Sequence, residues 1–153
     1  MKIELRHATL NDLNEMQDLF VETIISTCSK DYNDEQINVW TSSVENKDRW
    51  RARITNQYFL VAEIDNKIVG YGSLDNGNYL DFLYVHKDFL RKGIANLIYE
   101  KLKSESFRHG FDKLTSDVSK TALPFFESKG FKIIKENKNM MNGVEIINYH
   151  MSQ

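Results

Sequence analysis

The chain has 153 residues, 41% hydrophobic and 27% charged, a composition that fits one folded domain around a single core and excludes a disordered or low-complexity protein. A net charge of −2 excludes a general nucleic-acid binder, because such proteins neutralise many phosphates with a basic excess. The single cysteine, Cys28, rules out an internal disulfide and a thiolate metal cluster, and with no signal-like or membrane-length apolar run the expectation is a cytoplasmic protein that does not enter a membrane.

Lys2 to Arg6 alternates polar and apolar residues, with Ile3 and Leu5 on one face, as a half-buried strand does. Thr9 is an N-cap for a helix whose stripe of Leu13, Met16, Leu19, Phe20, Thr23 and Ile24 faces the core and runs to about Cys28. A loop from Asp31 leads to a short helix capped by Asn33 or Asp34. Trp40 and Trp50 flank a polar segment beyond it. Each serves either to pack this insert on a sheet or as an aromatic wall of a pocket. Tyr58 to Ile64 and Lys67 to Leu74 are strands of a hairpin turned at Asp65-Asn66. A second turn, Asn76-Gly77-Asn78, feeds the strand Tyr79 to Val85 and completes an antiparallel meander. Alternation along this strand predicts one face shared by Tyr79, Asp81, Leu83 and Val85.

After Val85 the chain turns polar and basic, and Gly93 opens an amphipathic helix that ends near His109-Gly110. Strand, basic loop and helix N-terminus in that order form an anion site, since the first helical amides have no internal partner and the dipole favours negative charge. Gly93 and Ala95 keep the surface small there, while Arg91 and Lys92 add positive charge, so a ligand with a phosphate or pyrophosphate is predicted. Neither the G-x-x-x-x-G-K-S/T of nucleoside triphosphatases nor the G-x-G-x-x-G of dinucleotide folds is present. Lys113 to Val118 is a fifth strand, parallel to the fourth because a long helix connects them. A compact helix, Thr121 to Lys129, carries Pro124 near its start. The remainder is a ribbon, Phe131 to Asn139 and Val144 to Met151, turned at Asn142-Gly143, and its apolar stretch Val144 to Tyr149 offers a surface for a homodimer.

Val85, four residues, then Leu90-Arg91-Lys92-Gly93-Ile94-Ala95 resembles the acetyl-CoA loop of the GNAT superfamily of N-acetyltransferases, Q/R-x-x-G-x-G/A, from which Leu90 departs at the first position. Ser119 to Phe131 resembles the superfamily's second signature, N-x-x-A-x-x-F-Y-E-x-x-G-F, with Ser119 for Asn and Phe126 for Tyr. Tyr32-x-x-x-Gln36-x-x-x-Trp40, together with Thr121-Ala122-x-Pro124-Phe125-Phe126-Glu127, is similar to the bacterial YafP-type branch. The resemblance implies an α/β (α+β) fold, one N-acetyltransferase domain over residues 1–153, with a mixed, mostly antiparallel sheet flanked by helices. It implies acetyl-CoA as co-substrate without a metal, and direct transfer to a primary amine of a small molecule or peptide in a ternary complex.

Carried over residue by residue, the resemblance gives Leu83 and Val85 backbone contacts to the pantetheine arm, and the Val85 N–H the polarisation of the thioester carbonyl. By the same resemblance Arg91, Lys92, Gly93, Ile94 and Ala95 would hold the pyrophosphate, with Leu90 beside them in the cofactor site. Ser119, Phe125 and Phe126 complete the cofactor wall, and Trp40 lies by the acceptor. Asp81 is either the base that takes the amine proton or a structural acid, because a carboxylate within an apolar strand needs a reason. Phe126 has no proton to give the leaving thiolate, which leaves Tyr79, Tyr149 or water. Polyamine, aminoglycoside, amino acid and peptide N-terminus all suit the acceptor role, and a non-catalytic acyl-CoA sensor is the alternative function.

Overall fold

A meander and a ribbon, each held by a tight turn, are merged into one seven-stranded sheet in the order β1-β2-β3-β4-β5-β7-β6. The computed structural model describes residues 2–153. The strands are β1 (Glu4–His7), β2 (Tyr58–Ile64), β3 (Lys67–Asp75), β4 (Tyr79–Val85), β5 (Thr115–Ser119), β6 (Lys132–Met141) and β7 (Val144–Ser152). All neighbours are antiparallel except β4 and β5. The helices are α1 (Leu13–Cys28), α2 (Asp34–Thr41), α3 (Lys47–Asn56), α4 (Ile94–Arg108) and α5 (Leu123–Ser128). The polar segment after Trp40 is a 3-10 turn, Ser42–Glu45, and the start of a helix of its own, α3, which carries Trp50 and buries only Trp50 and Ile54. None of the described helices is long and apolar enough to cross a membrane.

Each face of the sheet has its own core. Helices α1, α2 and α3 cover one face, where Met16, Phe20, Ile24 and Trp50 pack on Tyr71 and Phe82. Helices α4 and α5 cover the other, where Ile98, Tyr99, Leu102 and Phe126 pack on Val69, Leu80 and Val118. Helix α4 lies so close to β3 that a Cβ at Gly72 would come within 2.7 Å of Ile98 Cγ2, so only glycine fits. Ile146 of the ribbon lies in the first core, and the Ile147 carbonyl accepts from Tyr32 Oη (2.7 Å). The exposed large apolar residues of the ribbon are Ile133, Ile134 and Met140, all on β6.

Arg6 fastens the first strand. Its guanidinium donates to both Asp12 oxygens (2.9 Å each) and to Glu63 Oε1 (2.7 Å), while Asp12 also accepts from the Thr9 amide (2.8 Å). The Arg6 hydrogen bonds hold the Asp12 carboxyl below its usual range. A carboxyl with a lower pKa folded than unfolded stabilises the protein above the unfolded value, near 3.9, and loses that contribution as pH falls through the folded value. Asp12→Asn is therefore expected to cost roughly 1–3 kcal/mol in urea unfolding at pH 7, and less as the pH is lowered below the unfolded value. Equal stability of the two proteins at pH 7 would refute this.

Two irregularities of β4 shape the site. Leu80 is opposite Leu74 and Phe82 is opposite Ser73, which leaves Asp81 as the extra residue of a β-bulge. The bulge resets the alternation. Asp81 turns to α3, the same side as Phe82 and Tyr84, whereas Leu83 and Val85 pack toward α4. The expected common face of Tyr79, Asp81, Leu83 and Val85 is corrected accordingly: an inserted residue shifts every later side chain to the opposite face. The second irregularity is that β4 and β5 pair only at Tyr79 and Thr115 and diverge beyond.

Candidate active site

The divergence of β4 and β5 opens a cleft of about 760 Å³, lined along β4 from Tyr79 to Val85 and along β5 from Ser116 to Ser119. The His86 amide donates to Val69 O of β3 (2.8 Å), so strand alternation turns the Leu83 and Val85 amides away from β3 and into the gap. Thr23 Oγ1 of α1 donates to the Val85 carbonyl (2.9 Å) and fixes the end of the strand. At the closed end Ser116 Oγ donates to Leu80 O (2.7 Å).

The basic loop follows directly. Leu90 lines the cleft, and Arg91, Lys92 and Gly93 are exposed. Arg91 (φ 61°) and Gly93 (φ 79°) both take left-handed backbone, which bends the loop onto the start of α4. The Leu97 amide is the first to reach back, to Gly93 O, so the amides of Ile94, Ala95 and Asn96 have no intrahelical acceptor. The Ile94 side chain is buried in the second core, so only its amide faces this site. A Cβ built on Gly93 would meet nothing within 4 Å. Open space therefore stands before the helix amides, with two cations at its rim, and a pyrophosphate fits it.

On the other side the cleft is walled by Trp40 and Tyr32 (ring centroids 5.4 Å apart) and by Arg49 and Arg53 of α3. Trp50 is only 2% exposed and packs edge-on against Phe20, which makes it core. Asp81 Oδ2 accepts from Gln57 Nε2 (2.7 Å) and faces Arg53 Nε at 3.6 Å. Gln57 in turn accepts from Ser73 Oγ (2.6 Å), and Arg53 lies over the Phe82 ring. The acid is held in place by two side chains, Gln57 and Arg53, which Ser73 and Phe82 in turn position. Burial pushes the Tyr32 phenol up to about 12 and raises the Cys28 thiol on the same wall, so both are neutral.

Tyr79 lines the closed end, where its hydroxyl donates to Asp117 Oδ2 (2.6 Å). Burial first and Asp117 second raise the Tyr79 pKa. Burial opposes the charge of Asp117, but hydrogen bonds from Tyr79, His150 (3.0 Å) and Asn137 (2.8 Å) outweigh it and hold the carboxyl below its usual range. Ser119 lines the cleft, and its Oγ accepts from the Ala122 amide (3.2 Å). Phe126 is also on the wall. Phe125 stacks edge-on against Tyr99 (6.0 Å), and Tyr149 sits opposite Val118 against the α4 and α5 core, so neither lines the cleft. Arg49, Arg53 and Gln57 were not singled out from the sequence, and Thr23 was read only as part of the core stripe of α1. The i, i+4, i+8 spacing of the first three was the available signal.

Residues 28–153 match the family model of the acetyltransferase (GNAT) domain. The chain belongs to the GNAT acetyltransferase family. Over 150 residues it is 31% identical to the uncharacterized N-acetyltransferase YafP of Escherichia coli K12, covering 97% of this chain and 94% of that one. The fold matches a GCN5-related N-acetyltransferase of Rhodopseudomonas palustris with TM-score 0.95 and 27% identity, over 100% of this chain and 96% of the other. It also matches PaiA N-acetyltransferase of Thermoplasma acidophilum, solved with coenzyme A, with TM-score 0.77 and 19% identity over 100% and 99% of the two chains. GNAT enzymes use acetyl-CoA, and this GNAT chain is an acetyl-CoA-dependent N-acetyltransferase. Among the described residues no group of three or more His, Cys, Asp or Glu could hold a metal ion.

Proposed function

We propose that this enzyme moves an acetyl group directly from acetyl-CoA to a primary amine of a small molecule or peptide while both are bound. The observation that supports this reading is the divergence of β4 from β5, which joins the anion site at α4 to the aromatic wall at α2 through one cleft. Acetyl-CoA supplies an activated acyl carbon and a thiolate leaving group. The amides of Ile94 and Ala95, with Arg91 and Lys92, neutralise the pyrophosphate. The Leu83 and Val85 amides pair with the pantetheine arm, and the Val85 N–H is the donor for charge developing on the acyl oxygen. Thr23 keeps that donor oriented by binding the carbonyl of the same residue. Leu90, Ser119 and Phe126 flank the cofactor, and Trp40 contacts the acceptor. Asp81, set by Gln57 and Arg53, takes the proton of the amine directly or through water.

The leaving thiolate takes its proton from water. Phe126 has none to give, the Tyr79 hydroxyl is committed to Asp117, and Tyr149 lies off the cleft. A coenzyme A thiol is about as acidic as a free cysteine, near 8.5, so unassisted departure is slow but practicable.

The test is thiol release from acetyl-CoA over a panel of amines, with calorimetry of acetyl-CoA binding alongside. Amine-dependent release is expected. Tyr79→Phe and Tyr149→Phe should each keep turnover within about 10-fold, and Phe126→Tyr should raise it, all inside the roughly 10²–10⁴-fold range of general acid catalysis. Near-complete loss in either Tyr→Phe variant with binding intact would overturn the water assignment. Tight binding with no release for any amine would instead favour an acyl-CoA sensor.

A further inference from the structure

We propose that the acceptor carries a carboxylate together with its amine and that Arg49 receives the carboxylate, an inference that rests on the N-acetyltransferase reading above. The cleft is lined by four side chains of fixed charge, Arg49, Arg53, Asp81 and Asp117. Three are matched. Arg53 faces Asp81 at 3.6 Å, and Asp117 accepts from Tyr79, Asn137 and His150. Arg49 is the remainder: it is exposed at the cleft rim, only its backbone amide is bonded, to Asn46, and among the described residues its guanidinium has neither an ion-pair nor a hydrogen-bond partner.

Its position is set by the helix that carries it. Arg53 and Gln57 both reach Asp81, so this stripe of α3 runs along the acceptor wall, and Arg49 extends it by one more turn, about 6 Å, away from the acid. A cation in the first turn of a helix is opposed by the helix dipole, so the charge does not serve the stability of α3. A planar guanidinium pairs with a carboxylate through two parallel hydrogen bonds. The amine end belongs at Asp81 and the acid end at Arg49, with Trp40 and Tyr32 beside an apolar body between them. The same unmatched cation repels polyamines and aminoglycosides, which bring only further positive charge.

The experiment measures kcat and KM by thiol release for paired probes. L-phenylalanine, L-methionine and γ-aminobutyrate are each compared with their carboxamide at equal free-amine concentration, with spermidine as a polycation. At least one acid should exceed its carboxamide by about 10–100-fold in kcat/KM, and spermidine should be poorest. Arg49→Gln should remove most of that preference through KM, and Arg49→Lys should restore part of it, since a point charge remains without the fork. Thermal melting checks that both variants fold. Carboxamides or spermidine serving as well as the acids would overturn this proposal and leave amine acetylation standing. Equal losses on acid and carboxamide in Arg49→Gln would also overturn it, because a structural role has no such selectivity. If no amine reacts although acetyl-CoA binds, the acetyl-transfer reading falls and takes this one with it.

Discussion

Gly93→Asp is expected to weaken acetyl-CoA binding by about 100-fold or more while the protein still folds. The added Cβ meets no atom within 4 Å, and the φ of 79° is left-handed backbone, which Asp and Asn tolerate better than other side chains. The cost to folding is therefore about 1–2 kcal/mol. Binding should suffer far more, because a carboxylate would stand before the Ile94 and Ala95 amides, where the proposed site receives the pyrophosphate. Each hydrogen bond to a charged group contributes about 1.5–3 kcal/mol, so displacement from two of them corresponds to a factor of roughly 10²–10⁴. Gly93→Asn separates charge from bulk, having nearly the same shape and backbone tolerance. Calorimetry on both variants decides the matter: Asn should lose much less than Asp. Wild-type affinity in folded Gly93→Asp would remove this loop from the cofactor site.

The second large effect is expected for Asp81→Asn, with kcat falling by about 10²–10⁴-fold at neutral pH and partly recovering as pH rises and free amine becomes available from solvent. Asn keeps the shape of Asp, and its carbonyl can still accept from Gln57, so the bulge persists. Arg53 is left without its carboxylate, which lowers stability as well. Melting temperature and the pH–rate profile must therefore be read together. A fall in melting temperature with an unchanged profile and near-normal kcat would assign Asp81 to structure alone.

Much of the fold can be read from short-range chemistry. Asp65 (φ 50°) with Asn66 (φ 65°), and Asn142 (φ 50°) with Gly143 (φ 79°), take the two consecutive left-handed conformations that a two-residue hairpin turn requires, and both were visible as dipeptides. Helix α4 and its loop were equally visible, since Gly93 is followed by a clear apolar period. Helix α3 was obscured because Lys47 to Asn56 contains only two core residues, Trp50 and Ile54, a stripe too narrow to stand out among charges. The bulge left no mark either. Tyr79 to Val85 is compatible with either register, and the inserted residue is held by Gln57, bonded to Ser73 and Asp81 from the junction between α3 and β2. The network of Tyr79, Asp117 and His150 joins three strands distant in sequence, so no local pattern could announce it. The loop before α4 was thus legible as a strand–loop–helix junction, and the far wall of the cleft is assembled by tertiary contacts.

The single bridge between β4 and β5 also has a mechanical meaning. A continuous ladder makes a sheet open and close as one unit, but here four strands on one side and three on the other form two leaves with a hinge at Tyr79 and Thr115. The leaf made of β5, β7 and β6 carries only the short α5, whereas the other leaf holds most of the helical mass. Local unfolding of the smaller leaf therefore costs less than global unfolding. An extended ligand lying in the gap touches both leaves, since β4 and β5 both line it, and so ties them together. Binding of such a ligand and cohesion of the C-terminal quarter of the protein then become one physical property, and a change that loosens either loosens both.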